Sequence, residues 1–160
     1  MEIRIIGGSH AAIACATRAR EEYPDARIVI YEKNKNIGFI ATASTTYEDP
    51  YILARKYASL DHISKGRAAW NVVTTVSADT ARNFGFEAYP DHKVRYERAD
   101  EFIEVVQKLW DSWEDDAFQY NKTSGVFYDA DKNHEPLHQG QYFKVQGALN
   151  VPRPPQGYPV

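Results

Sequence analysis

The stretch Ser59-Leu-Asp-His-Ile-Ser-Lys-Gly-Arg-Ala-Ala-Trp-Asn-Val-Val-Thr74 constrains the fold more than any other. It reads as the end of a helix, a tight turn and a buried strand. The helix starts at Asp49-Pro50, where Asp serves as N-cap and Pro suits the first helical position. Leu53, Tyr57, Leu60 and Ser64 recur three or four apart on one face. Lys65-Gly66 closes the helix, because Gly takes the left-handed conformation freely and Lys stands at the negative end of the helix dipole. Ala68 to Thr75 is short, mostly apolar and without alternation. After a helix, that pattern predicts a strand covered on both faces, as in a parallel sheet.

The chain has 160 residues, enough for one domain, and its 43% hydrophobic content is that of a globular protein. A net charge of −3 argues against a nucleic-acid or anionic-membrane surface. Cys15 is the only cysteine, so no internal disulfide forms and a reducing, cytoplasmic setting is expected. No apolar run approaches a membrane span, and Glu2 and Arg4 interrupt any signal-peptide pattern.

The N-terminal residues set out a second pattern. Ile3 to Ile6 predicts a strand, Gly7-Gly8-Ser9-His10-Ala11-Ala12 a glycine turn, Ala11 to Tyr23 a helix, and Ala26 to Tyr31 a second strand closed by Glu32. Strand, glycine turn, helix, strand and acid is the dinucleotide arrangement, in which backbone N–H groups meet a pyrophosphate and the acid takes a ribose hydroxyl. Ser9 and Ala12 occupy the second and third glycine places, so a plain βαβ start competes equally with a working site.

Beyond it, Phe39 to Ser44 is strand-like, Ser77 to Phe84 helical and Gly85 to Asp91 a loop. His92 to Trp113 contains the longest helix, with Phe102, Val105, Val106, Leu109, Trp110 and Trp113 on one apolar face. Asp111, Glu114, Asp115 and Asp116 make an acidic end, read as a solvated exit. Ala117 to Gly140 is polar and turn-rich, Gln141 to Gln146 a strand candidate, and Asn150 to Tyr158 an extended proline-rich lead into a strand at Pro159-Val160.

Several words of the sequence are those of known families. Thr45-Thr-Tyr-Glu-Asp-Pro-Tyr, Ala58-Ser-Leu-Asp-His-Ile-Ser-Lys-Gly-Arg, Trp70-Asn-Val-Val-Thr and Asn150-Val-Pro-Arg-Pro-Pro-Gln-Gly resemble the nitrilotriacetate monooxygenase group of flavin-dependent, luciferase-like monooxygenases. That resemblance runs from about Ala41 to Val160. Gly7-Gly-Ser-His-Ala, Tyr23-Pro-Asp-Ala and Tyr31-Glu-Lys-Asn-Lys-Asn-Ile-Gly-Phe resemble the FAD-binding N-terminus of NADH oxidases and coenzyme A-disulfide reductases, whose redox cysteine is replaced here by Ile40-Ala-Thr-Ala.

The resemblances imply an α/β fold with a parallel sheet: a Rossmann-like βαβ segment over 1–39, then a partial luciferase-like (β/α)₈ barrel over 40–160, with 114–150 a surface excursion. Such a piece folds as a small open sheet, pairs with another copy, or is unstable. The first resemblance implies FMN, reduced by a separate flavin reductase, as cofactor for oxygenating a small organic substrate. It places Thr42, His92 and Tyr96 at FMN, with Asn71 behind them. The second implies FAD, with Gly7, Gly8 and Glu32 as contacts. A third alternative is a non-catalytic fusion remnant.

The residues themselves leave other readings open. His92 and Tyr96 stand one turn apart at a helix start, where such pairs are often mere surface neighbours. Asn71 serves equally as a satisfied buried amide. Asp61 and Arg67 flank the helix-to-strand turn and are read as structural, pairing or capping it. His134-Glu-Pro-Leu-His138 matches H-E-x-x-H but is rejected as a zinc site, because Pro136 breaks the helix the motif requires.

Overall fold

The computed structural model describes residues 2–6, 22, 27–31, 38–75 and 77–160. The chain divides into two compact units, Met1–Gly38 and Phe39–Val160. In the first, β1 (Glu2–Ile6) and β2 (Arg27–Tyr31) pair in parallel, from Glu2↔Arg27 to Ile6↔Tyr31. The glycine turn with Gly7 and Gly8, the helix expected over 11–23 except Glu22, and Glu32 lie outside the described residues.

The second unit opens with β3 (Phe39–Ser44), α1 (Pro50–Ser64) and β4 (Ala68–Val73). β3 and β4 are parallel, in register from Phe39↔Ala68 to Ser44↔Val73. On the other edge of β4, Val160 N–H donates to Ala68 O at 3.2 Å and Val160 O accepts from Trp70 N–H at 2.6 Å. One residue bonded to two that flank its partner is the parallel pattern. β4 is therefore the inner strand, as its apolar composition predicts.

The ends of α1 follow the chemistry of its sequence. Asp49 Oδ1 accepts from Ile52 N–H at 3.0 Å and Pro50 begins the helix. At the other end Lys65 already turns left-handed (φ +58), followed by Gly66 (φ +74), where only glycine is free of strain. Pro50, Leu53, Ala54, Tyr57, Ala58, Asp61 and Ser64 are the buried residues. Leu60, expected on this stripe, is half-buried, and Asp61 takes the inward place.

Residues 77–83 give a short helix α2 (Ala78–Asn83) with Ser77 as N-cap, and α3 (His92–Trp110) is the longest. Phe102, Val105, Val106, Leu109 and Trp110 of α3 pack against Leu53, Tyr57 and Ala58 of α1 to make the core. Trp110 Nε1 donates to Ala54 O at 3.0 Å across the two helices. Trp70 of β4 packs between them with tilted rings, its centroid 5.8 Å from Tyr57 and 5.9 Å from Phe102. Among the described residues the helices cover only this face. The opposite face leaves Ile40 54% exposed, with Thr42 and Asn71 exposed beside it, so the cover on both faces expected for the strand is not present.

α3 ends three residues before Trp113, because the Ser112 hydroxyl turns back to Leu109 O (2.6 Å) and accepts from Leu149 N–H (2.9 Å). Trp113 remains in the core and donates through Nε1 to Leu149 O at 2.6 Å. The excursion is more ordered than its composition predicts. Phe118 and Tyr128 pack on Trp113 at 4.8 and 5.3 Å. The expected strand over 141–146 is reduced to β6 (Lys144–Val145), antiparallel to β5 (His138–Gln139). The acidic end is not a bare solvated exit. Asp111 and Asp115 bind Arg153 at 3.0 and 3.2 Å, Glu114 binds His134 at 2.8 Å, and Asp116 binds Lys132.

Tyr57 carries a testable consequence. Its hydroxyl donates to Ala41 O at 2.6 Å. Burial, helped by the Glu48 charge, pushes the phenol from 10.0 up to about 12. The fold holds this proton more tightly than the unfolded chain, so the contribution is complete below about pH 10 and lost as pH rises towards 12. The urea midpoint of the parent chain should fall faster over this range than that of Tyr57→Phe. Parallel curves would show that the phenol titrates freely.

Candidate functional site

In a parallel sheet the carboxyl ends of all strands open on one side, and ligands collect there. β3 runs into Thr45-Thr46 and β4 into Thr74-Thr75, and hydroxyls tie the two ends together. Thr46 Oγ1 donates to Thr74 O at 2.6 Å, Thr45 Oγ1 to Val73 O at 3.3 Å, and Thr75 Oγ1 to Ser44 Oγ at 2.5 Å. Lower on the uncovered face, Thr42 and Asn71 stand opposite each other in register. Asn71 Nδ2 donates to Thr42 Oγ1 at 3.1 Å. Both side chains are exposed, so Asn71 is not a satisfied buried amide.

α3 supplies the second pair. Its N-cap Asp91 accepts from Lys93 N–H at 2.9 Å. One turn apart, the rings of His92 and Tyr96 stack with centroids 4.4 Å apart and planes 27° off parallel. Tyr96 lines a cavity of about 640 Å³ with Val73, Thr74, Thr75, Ser77 and Asp100. The structure thus forms Thr42–Asn71 and His92–Tyr96 as two pairs on elements that meet at the carboxyl end of β4. Among the described residues no hydrogen bond or ring contact joins one pair to the other.

Arg95 was not among the residues singled out by sequence. It is buried, and its guanidinium grips Pro90 O, Thr74 Oγ1 and Thr75 O at 3.1, 3.0 and 2.9 Å. The signal was present: Arg95 lies on the stripe that continues through Ala99, Phe102 and Val106, and a cation on an apolar stripe needs internal partners. The H-E-x-x-H stretch is not helical. Leu137 has φ +44 and His138 belongs to β5, so His134 and His138 do not share a helix face. His134 contacts Glu114 and His138 contacts Glu101, at 2.8 and 3.0 Å. Asp61 caps the helix-to-strand turn, its Oδ1 accepting from Ala68 N–H at 3.1 Å.

Parallel strands joined by a helix, with polar side chains gathered at their carboxyl ends, define a piece of an α/β protein with a parallel sheet. Residues 29–160 match the luciferase-like monooxygenase family, and the chain belongs to it. It is 58% identical over 124 residues to N-acetyl-S-(2-succino)cysteine monooxygenase of Bacillus subtilis (strain 168), covering 78% of this chain and 28% of that protein. It is 54% identical over 126 residues to nitrilotriacetate monooxygenase component A of Aminobacter aminovorans, covering 79% and 28%. A crystal structure of riboflavin lyase with modified FMN and riboflavin superposes with a TM-score of 0.73 at 46% identity, over 79% of this chain and 28% of that one. The chain therefore spans about 28% of the length of these relatives.

The likeness of residues 1–39 to NADH oxidases is not supported, and neither is FAD. The family match starts at residue 29, inside β2, twelve residues before Ala41. A strand, a turn, a helix and a parallel strand recur across α/β folds, so a fingerprint lacking two of its glycines does not separate them. Among the described residues no helix is long and apolar enough to cross a membrane.

Proposed function

We propose that this chain is part of a flavin-dependent monooxygenase that uses reduced FMN and O₂ to oxygenate a small organic substrate, with a separate flavin reductase as partner. Its second unit is then a segment of a (β/α)₈ barrel. The observation that carries this reading is the polar pair on the uncovered face of β3 and β4 together with the aromatic pair on the helix that meets the carboxyl end of β4. They fit a flavin. Asn71 Oδ1 and the Thr42 hydroxyl hydrogen are uncommitted among the described residues and suit a polar ring edge. The His92–Tyr96 stack offers an aromatic surface and a phenol beside a cavity of about 640 Å³. Reduced FMN supplies two electrons, so that one oxygen atom enters the substrate and the other leaves as water. The chain's own residues bind and orient: Thr42, His92 and Tyr96 contact FMN, and Asn71 fixes Thr42. No acid or base of this chain is assigned to the chemistry.

A second reading is a non-catalytic segment. The exposed sheet face with Ile40 and the 28% span of the relatives favour it. Fluorescence titration with FMN, and separately FAD, distinguishes the two. Saturable FMN binding, about tenfold weaker in His92→Ala and in Tyr96→Phe, is the expected result. Binding of neither flavin by the parent chain would assign the second reading.

A further inference from the structure

Thr75 ends the stretch that follows β4 and has φ +60. A β-branched residue adopts this left-handed conformation only when its surroundings impose it. Three side chains impose it here. Arg95 Nη1 donates to Thr75 O at 2.9 Å, the Tyr89 hydroxyl donates to the same oxygen, and Thr75 Oγ1 donates to Ser44 Oγ. The Arg95 guanidinium also lies 4.4 Å from the centre of the Tyr89 ring and donates through Nε to Pro90 O. Arg95 is only 7% exposed, and among the described residues no carboxylate pairs with it. A buried cation satisfied by carbonyls and a ring, spent on holding one strained strand end, is costly as mere scaffolding.

We propose that Arg95 is a positioning residue: it locks Thr75 in the left-handed conformation and thereby fixes the strand end against which Tyr96 stands. The proposal rests on the flavin reading above, because Tyr96 is the FMN contact next in sequence and lines the same cavity as Thr74 and Thr75. A lysine at 95 keeps the charge but lacks the planar fork that reaches Pro90, Thr74 and Thr75 together.

The test uses the full 160-residue chain carrying Arg95→Lys or Tyr89→Phe. The second variant removes only the Tyr89 hydroxyl that shares the Thr75 oxygen, and Arg95→Gln, which keeps a polar amide but not the fork, carries the test if Arg95→Lys does not fold. Carbon-13 shifts of Thr75 and ring-proton shifts of Tyr96 are read without flavin, and FMN affinity is read separately. In the folded variants, Thr75 is expected to move to extended-strand shifts with Tyr96 following, and FMN to bind about tenfold more weakly. Thr75→Gly should restore most of that affinity in the Arg95→Lys background, because glycine reaches positive φ without support. Unchanged Thr75 and Tyr96 shifts would overturn the proposal, whatever happens to FMN. Weaker FMN binding with unchanged shifts would give Arg95 a direct contact instead and overturn it equally. Failure of the parent chain to bind FMN would sink the flavin reading, while the flavin-free shifts still decide whether the clasp exists.

Discussion

Asp61→Ala should lower the stability of the second unit by about 4 kcal/mol, because it strands several buried donors at once. The Asp61 side chain is fully buried at the end of α1. Oδ1 accepts from Ala68 N–H at 3.1 Å and from Gln156 Nε2 at 2.6 Å, and Oδ2 accepts from Gln156 N–H at 3.0 Å. Gln156 Nε2 also donates to Ala68 O at 2.9 Å. One carboxylate therefore joins the helix end, the first residue of β4 and the proline-rich segment that leads to Val160. Each donor left unpaired in the interior costs about 1–3 kcal/mol. Against a typical domain stability of about 5–15 kcal/mol, that loss moves a urea midpoint by roughly 2 M. Asp61→Asn keeps one oxygen but turns an N–H₂ group towards a donor, so about half the loss is expected. A midpoint within about 0.5 M of the parent in Asp61→Ala would show that water replaces the carboxylate and that the clasp is not structural.

This residue also marks how far the sequence can be read. Asp49-Pro50, Lys65-Gly66 and the apolar run after them specify α1 and β4 by local chemistry, and the structure follows them closely. Asp61 is recognisable as a cap of that turn, but its second partner, Gln156, is 95 residues away and no local pattern names it. The same limit hides Arg95: its position on the buried stripe of α3 announces an internal partner, while its grip on Thr74 and Thr75 depends on how the helix meets the strand end. His92 and Tyr96 are one turn apart by helix geometry alone, and Thr42 faces Asn71 only once the β3–β4 register is known. The apolar run of β4 predicts cover on two faces, whereas among the described residues helices pack on one, consistent with spanning 28% of its relatives' length. In the N-terminal unit the strand positions were legible, but the NADH oxidase and FAD reading was not supported, since a degenerate glycine turn carries too little information to separate one α/β family from another.

Gly140→Ala should cost about 3 kcal/mol for a reason unrelated to backbone freedom. A Cβ at Gly140 would stand 1.9 Å from Glu101 Oε1 and 2.6 Å from His138 Nε2. Glu101, on α3, has a side chain 13% exposed and accepts from Gln141 N–H (3.0 Å), Tyr142 N–H (3.0 Å), Phe143 N–H (2.8 Å) and His138 Nε2 (3.0 Å). Lys108 Nζ lies 3.2 Å from His138 Nδ1. An ammonium has only donors and a carboxylate only acceptors, so the ring takes the tautomer with hydrogen on Nε2. The bend at 140–143 is thus wrapped around one carboxylate, and an added methyl must expel it. Because both residues act through one clasp, the effects should not add: Gly140→Ala is expected to cost clearly less in a Glu101→Ala background, where the nearest obstructing oxygen is gone and only the His138 ring must still give way. Two full and additive losses would mean that the methyl acts elsewhere. The same carboxylate sets an acid dependence. Burial works against its charge, but the bonds from His138, Tyr142 and Phe143 outweigh it and hold its pKa below the usual range. The folded state therefore binds this proton less readily than the unfolded chain, and the clasp contributes fully above about pH 4.3 and fades as pH falls through the lower folded value. Glu101→Gln should flatten the loss of stability over that acid range, and an unchanged slope would assign the acid sensitivity to other carboxylates.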